Sequence, residues 1–539
     1  MRTKFLTLFL AIFVCVNPLL AFSSSGEVSE SQKSFDVTFY DLDIKIDPNK
    51  KILSGEAVIS FILYQKTNKI ELDLINKYTI SGVHLNGTSL AFKHKKNKIF
   101  IENPGLDLFK EHFLKIKYVG KPPVSKNAPW EGGIVWDKDE NGNHWIGISC
   151  QSSGAHIWFP CKKHPSDKAN KGAKVKITIP RPLKAISNGL LKNVIEQEGY
   201  WDTWHWETSY PISSYNINFS IGDFNIIEKT GYILDKPLSM FFYTFSKKDQ
   251  GLSLLNTAEE YLNFYAENFG QYPWIREKFG VVETPYWGME HQTIIAYGNN
   301  YKKTELGYDF LLFHEIGHEW WGNYLSVSDW SDFWIHEGIN TYAEALYVEK
   351  IYDYKTANNF INKKFKSLIK NKKALIPGPN QEIGFFEDND VYYKSAYLLH
   401  TLRYLIGESV LRESLKEFLY MPKENESNQT NTKEFISLIE ENSKIELDWF
   451  FDHYFRNKSL PTLNIRRKVI KGKKFIDICW QEKGFKMPMT INYTSFDGLR
   501  EKKINLNNTY KRIVIPETSD LILDPNSVLL FKKNIYVDE

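Results

Sequence analysis

The period of the apolar residues changes twice along this chain, and each change marks a different kind of packing. From residue 35 to about 225, apolar side chains alternate with polar ones: Leu42, Ile44 and Ile46, then Ala57, Ile59, Phe61 and Leu63, then Ile70, Leu72 and Leu74. A period of two puts one face of a strand in a core and leaves the other outside. Turn-forming residues separate the runs at Asp47-Pro48-Asn49, Asn86-Gly87, Asn103-Pro104-Gly105 and Asn141-Gly142. Near residue 252 the period becomes helical. Leu255, Ala258, Leu262, Tyr265 and Phe269 share one helix face, which Gly270 and Pro273 close. Tyr308 to Gly322, Ile335 to Tyr352, Ala396 to Ile406 and Phe435 to Tyr454 also read as helical, and the polar stretch Lys423 to Lys433 as a surface loop. From Leu460-Pro461 the strand period returns, at Ile476, Ile478 and Trp480, at Thr490 to Thr494 and at Ile513 to Ile515. The expected architecture is multidomain α+β. An N-terminal β-sheet domain covers 35–228, a mainly helical domain 229–457 and a small C-terminal β-sandwich 458–539.

Composition narrows the class. With 539 residues, 42% apolar and 15% aromatic, the chain can bury several cores and is neither a fibre nor a disordered tail. Lys and Arg total 68 against 65 Asp and Glu, so no basic excess points to nucleic acid. The first residues read as an address. Arg2 and Lys4 precede an apolar run from Phe5 to Val16 that is short for a bilayer, and Pro18 and Ala21 follow. This is the layout of a signal peptide over 1–21, with an uncleaved anchor as the alternative. The chain is thus expected to be exported, to the periplasm or as a secreted protein. No later stretch is long and apolar enough to span a membrane, so the mature chain is expected to have no membrane span. Export permits disulfides. Cys150 and Cys161 are near enough in sequence to pair, or are isolated buried thiols; Cys479 would be left over.

One short run carries chemistry: Phe313-His314-Glu315-Ile316-Gly317-His318. His314 and His318 are four apart, so both imidazoles lie on one helix face and can reach one zinc ion. Glu315 is close enough to act on a water there without being a ligand. Glu337 lies eighteen intervening residues beyond His318, room for a helix end, a turn and a second helix that brings its carboxylate to the histidines. Two His and one Glu leave a fourth zinc position open, as in catalytic rather than structural sites. His336 cannot share the direction of Glu337 on a helix. Zinc held in this way lowers the pKa of a water to about 7 and polarises a carbonyl, while Glu315 shuttles the proton to the leaving nitrogen. Spacing leaves open which residue donates to the oxyanion. Glu344, two helical turns after Glu337, is either the acid that orients a ligand imidazole or an exposed helix acid.

With this spacing the chain resembles the M1 family of zinc aminopeptidases, the group of aminopeptidase N and leukotriene A4 hydrolase. Tyr286-Trp287-Gly288-Met289-Glu290-His291, about two dozen residues upstream of His314, resembles the G-x-M-E-N exopeptidase signature. Asp390-Val391-Tyr392-Tyr393-Lys394-Ser395-Ala396 resembles the Y-x-K-G-A segment. The resemblance implies a thermolysin-like catalytic domain, one zinc per chain on His314, His318 and Glu337, and peptide substrates with a free N-terminus. It implies that Glu290 binds the substrate α-ammonium, within a substrate-binding stretch that includes Trp287, Gly288 and Met289. It further implies that Gln151 is a second amine-binding group, and that Tyr392 stabilises the oxyanion, with Tyr393 as the alternative. Trp287 stands where the signature has its first Gly and His291 where it has Asn, so Trp287 is expected to narrow the first side-chain pocket or to alter backbone contact with substrate. Large family members continue with a helical C-terminal domain. A chain ending after the small sandwich is expected to have a more open site, or one closed by a partner in an oligomer. Three other readings share these residues. Glu290 argues against a zinc endopeptidase, the missing helical domain against added epoxide hydrolysis, and the retained Glu315 and ligand set against a non-catalytic binding protein.

Overall fold

The alternating runs near the N-terminus form the long strands Phe35–Asp47 and Ile52–Leu63, paired antiparallel, with Leu42, Ile44, Ile46, Ala57, Ile59, Phe61 and Leu63 all buried. In this computed structural model, residues 26–139, 141–382, 388–422, 427–495 and 498–537 are described. The expected signal peptide at 1–21 lies outside the described residues. The two strands sit in the middle of an eight-stranded sheet. It is antiparallel except where Phe35–Asp47 runs parallel to Ala173–Pro180. A four-stranded sheet beside it includes His144–Ser149, whose end leads directly into the turn bearing Gln151.

The middle region is helical around a five-stranded sheet ordered Asn225–Ile233, Lys236–Thr244, Lys278–Glu283, Ile295–Tyr297, Gly288–Met289. The first strand begins before residue 228, so the division drawn at 228/229 falls inside it. The tight turn after it is Leu234-Asp235, both at positive φ (45° and 65°). Leu in a left-handed turn carries none of the usual Gly or Asn signal, which is why the hairpin is hard to see in the sequence. The helix Lys248–Phe269 ends at Gly270 with φ 96°, as its composition predicts.

Three expectations need correction. The helix expected over Tyr308 to Gly322 is shorter, Phe310–Gly317, with His318 as its C-cap. The segment expected as one helix from Phe435 to Tyr454 is two, Thr432–Ser443 and Asp448–Tyr454, broken where Lys444 turns left-handed at φ 57°. The polar stretch read as a surface loop over 423–433 is partly structural. Residues 423–426 lie outside the described residues, but Gln429–Thr430 pairs in parallel with Ser326–Val327 and both its residues are buried. Hydrogen bonds make that burial tolerable: the Gln429 amide donates to the Pro165 carbonyl, and Ser427 Oγ donates to Asn170 at 2.6 Å.

The C-terminal region is strand-rich, with a four-stranded sheet containing Thr462–Ile470 and Lys473–Trp480 and a three-stranded sheet containing Met489–Ser495. Cys150, Cys161 and Cys479 are free and buried, so the possible Cys150–Cys161 pair is not formed. Among the described residues no helix is long and apolar enough to cross a membrane.

Candidate metal centre

The metal helix starts where Asp309 caps it, its carboxylate accepting from the Leu312 N–H at 3.2 Å. One helical turn separates His314 from His318, and their Nε2 atoms converge to 3.1 Å. The helix Trp334–Ile351 presents Glu337 from its first turn, with Oε2 at 3.5 Å from His314 Nε2 and 3.4 Å from His318 Nε2. Zinc bonds of about 2.0–2.1 Å meeting at a tetrahedral angle place donor atoms roughly 3.3–3.4 Å apart, so the three donors already stand at zinc spacing. Glu337 Oε2 is buried and has no hydrogen-bond partner, an atom placed for a cation. His318 Nδ1 donates to the Trp321 carbonyl at 2.9 Å, which leaves the Nε2 lone pair free for a metal.

Two contacts hold the helices together. Asn340 Nδ2 donates to the His314 carbonyl at 2.8 Å, and Asn340 Oδ1 accepts from Tyr265. A Cβ on Gly317 would lie 1.8 Å from that same Asn340 oxygen, so the close crossing requires glycine. His336 faces away. It accepts the Val327 N–H at Nε2, 2.9 Å, and burial pushes its imidazole down to about 3, so it is a structural neutral histidine rather than a competing ligand.

The centre gathers more acids than bases. Burial opposes ionisation of Glu337, yet His318 and His314 outweigh it and hold the carboxyl well below the usual range. Burial likewise works to lower His318, but Glu337, Glu290 and Glu315 push it up to about 10. Burial, aided by Glu290 and Glu337 against the pull of His318, pushes Glu315 well above the usual carboxylate range. Three buried acids around two imidazoles are an environment that a divalent cation relieves.

The remaining predicted residues surround these ligands. Gly288 lies against Glu315: a Cβ there would sit 2.2 Å from its Oε1. Gly288–Met289 is an edge strand of the five-stranded sheet, with Met289 buried and Trp287 42% exposed beside it. Glu290 is buried, and its Oε1 accepts from the Gln151 side-chain amide and from Tyr215 Oη at 3.3 Å. Burial pushes Glu290 up, His318 pulls it down and Glu337 adds to the rise. On the other side the Tyr392 ring lies 6.2 Å from the His314 ring, and burial with Glu337, Glu290 and Glu315 pushes its phenol well up, leaving a hydroxyl donor. Tyr393 turns away and packs on Phe365. Glu344 is fully buried rather than exposed, but no hydrogen bond joins it to a ligand imidazole. Its Oε2 accepts from Tyr308 and Lys364, while its Oε1 and His314 Nδ1 both lack a partner.

Three residues absent from the sequence reading belong here. Tyr215 reaches Glu290 from the N-terminal domain. Glu319, fully buried, collects donors from Thr293, Tyr272, Trp274 and Asn323, and burial pushes it up to about 7. Asn323 donates to the Glu290 carbonyl at 2.8 Å. Glu319 and Asn323 follow the metal motif directly, where an acid and an amide among tryptophans hint at buried bonding; Tyr215 carries no local signal.

The chain is similar to known proteins in sequence and in fold. Residues 37–216 match the family described as "Peptidase M1 N-terminal domain" and residues 254–454 the "Peptidase family M1 domain". "Probable aminopeptidase 1" of Sulfurisphaera tokodaii is 23% identical over 370 residues, covering 65% of this chain and 45% of that protein. "Aminopeptidase N" of Lactobacillus helveticus is 21% identical over 519 residues, covering 89% of this chain and 58% of that protein. The chain thus spans about half the length of these curated relatives. The crystal structure of an M1 zinc metallopeptidase from Deinococcus radiodurans superposes with a TM-score of 0.68 at 20% identity, over 82% of this chain and 98% of that one, and shares its fold. With both family regions matched in order and the two-histidine, one-glutamate centre in the second of them, the chain belongs to peptidase family M1.

Proposed function

We propose that the protein is a zinc-dependent aminopeptidase that removes the N-terminal residue from peptides. The observation that carries the reading is the buried Glu290 carboxylate, held by Gln151 and Tyr215 beside the three metal donors. A fixed carboxylate next to the reaction centre selects a substrate with a free ammonium and excludes a blocked one. Zinc on His314, His318 and Glu337, when bound, supplies Lewis acidity toward a carbonyl and a more acidic water. Glu290 and Gln151 bind and orient the substrate amine. Glu315, at the foot of the Gly288 strand, accepts the attacking water's proton on its carboxylate and returns it to the departing nitrogen. The Tyr392 hydroxyl donates to the oxygen on which negative charge develops. Exposed Trp287 flanks the pocket for the first side chain. A fold neighbour from Deinococcus radiodurans has been solved with a Tyr-Ser-Ala substrate, which supports peptides as the substrate class.

The basic and then apolar N-terminal stretch supports export, to the periplasm or beyond. Buried Leu463, Ile478, Met489 and Ile491 on the two C-terminal sheets support a small β-sandwich there.

The test compares aminoacyl 4-nitroanilides with their N-acetylated forms, with and without a zinc chelator. The expected outcome is chelator-sensitive cleavage of the free-amine substrates alone. Equal cleavage of both forms would turn the reading to an endopeptidase, and insensitivity to chelation would remove the metal.

A further inference from the structure

Asn323 sits at the centre of a buried hydrogen-bond joint that no step of the proposed reaction uses. It lies five residues after His318, in the turn that follows the metal helix, and is fully buried. Its side-chain amide donates to the Glu290 backbone carbonyl at 2.8 Å and to Glu319 Oε2 at 3.0 Å. Its side-chain oxygen accepts from Asn216 Nδ2 at 2.7 Å. Its own carbonyl accepts from Lys168 Nζ at 2.7 Å, and its N–H donates back to the His318 carbonyl at 2.9 Å. Glu319, Asn216 and Lys168 are all buried.

These bonds join three separate pieces of chain. One is the turn bearing the ligand His318. The second is the loop bearing Glu290. The third is the N-terminal domain, which supplies Asn216 and Lys168 to the joint, and Tyr215 and Gln151 to the Glu290 carboxylate itself. A buried amide is tolerated only when its polar atoms are bonded. Here both donors and the acceptor are used, each toward a different piece, so the side chain fixes relative position rather than filling space.

We propose that Asn323 is the positioning residue that sets the span between the Glu290 carboxylate and the metal ligands, and with it the amine-to-carbonyl length the site accepts. Asn216 and Lys168 anchor that span to the N-terminal domain. The inference rests on the aminopeptidase reading: an α-amino acid places one carbon between its ammonium and the scissile carbonyl, and a β-amino acid places two. A rigid span accepts the first and rejects the second, because misplacing reacting groups by about 1 Å costs on the order of a hundredfold in rate.

The experiment uses the full chain loaded with zinc. It compares the α-aminoacyl 4-nitroanilide that the native protein cleaves best with the β-homologue of the same amino acid. In Asn323→Ala the ratio of kcat/KM for α over β is expected to fall at least about tenfold, with one zinc per chain retained. A general loss of folded enzyme lowers both rates by one factor and leaves the ratio alone, so an unchanged ratio in the zinc-loaded variant overturns the proposal. Should Asn323→Ala give no folded protein, Asn216→Ala decides. A fall in the ratio of about threefold or more supports the span being anchored through Asn216, and an unchanged ratio overturns it. A native protein that cleaves no aminoacyl anilide would remove the aminopeptidase reading, and this inference with it. An active native protein with unchanged ratios in the variants removes the inference alone.

Discussion

Tyr392 and Tyr393 are neighbours on one helix, and the helical turn sends them to different places. Tyr392 meets the ring of His314, whereas Tyr393 packs on Phe365 at 5.8 Å. In the proposed reaction, replacing the first by Phe removes a donor to the developing oxyanion. Tyr392→Phe is expected to lower kcat about a hundredfold with KM little changed, and Tyr393→Phe to stay within about twofold of native, both read by steady-state kinetics on aminoacyl anilides. Glu315→Gln keeps the shape of the base and removes its proton affinity. Turnover should drop by about 10³-fold or more, with zinc content by elemental analysis unchanged; retained turnover would refute the role of Glu315. The two histidine donors are legible in sequence because helix geometry alone ties residues four apart to one face, and Glu337 is legible from a spacing that leaves room for a turn and a second helix. Tyr215 is not, because its contact with Glu290 spans 75 residues and rests on how two domains meet.

The helices bearing Glu337 and Tyr392 cross at a small-residue contact. A Cβ on Gly338 would come within 2.3 Å of Ser395 Cβ, so Trp334–Ile351 and Asp390–Ile406 approach as closely as they do because residue 338 has no side chain. Ser395 occupies the place where the Y-x-K-G-A pattern has glycine, which puts the whole burden of the close approach on Gly338. Gly338→Ala is expected to destabilise the fold by about 1–3 kcal/mol, as overpacking does, seen as a lower denaturant midpoint. It should also lower kcat, since parting these helices moves Tyr392 away from Glu337. At this scale the strand and helix periods were readable, and the ends of elements were not. The metal helix stops at Gly317 although the apolar pattern runs on through Trp320 and Trp321, because the chain turns there and His318 bonds the Trp321 carbonyl. The strand Asn225–Ile233 pairs with Lys236–Thr244 through a turn whose first left-handed residue is Leu234, where Gly or Asn is usual.

The site is assembled from two regions of the molecule. The N-terminal domain contributes Gln151 and Tyr215 to the Glu290 carboxylate and Lys168 to the turn after the metal helix. Lys168 is buried against the Asn323 and Tyr324 carbonyls, and burial pushes its ammonium down from 10.5 to about 7. His336 also faces it and is itself neutral. The sign of the resulting pH dependence follows. Between pH 7 and 10.5 the unfolded chain holds a proton on this lysine that the folded chain has released, so the unfolding free energy rises with pH across that window. Below pH 7 the buried amine must carry its charge and this contribution is lost. Lys168→Met removes the titration, so its stability measured by chemical denaturation should rise less steeply from pH 7 to 10 than that of the native chain. Equal slopes would show that Lys168 is not the group responsible.

What the sequence by itself determined is local. The change from strand to helix period and back, the pairing of His314 with His318, and the placing of Glu337 one helix later all follow from backbone geometry acting over a few turns. What the tertiary structure decided is how distant groups, Gln151 among those the resemblance implied and Tyr215 and Asn323 beyond it, come to bond Glu290. Gln151, Tyr215 and Asn323 act on Glu290 across gaps of 139, 75 and 33 residues. No backbone period extends over such distances: the packing of one domain against the other brings Gln151 and Tyr215 within bonding range of Glu290, and tertiary packing within the helical domain brings Asn323.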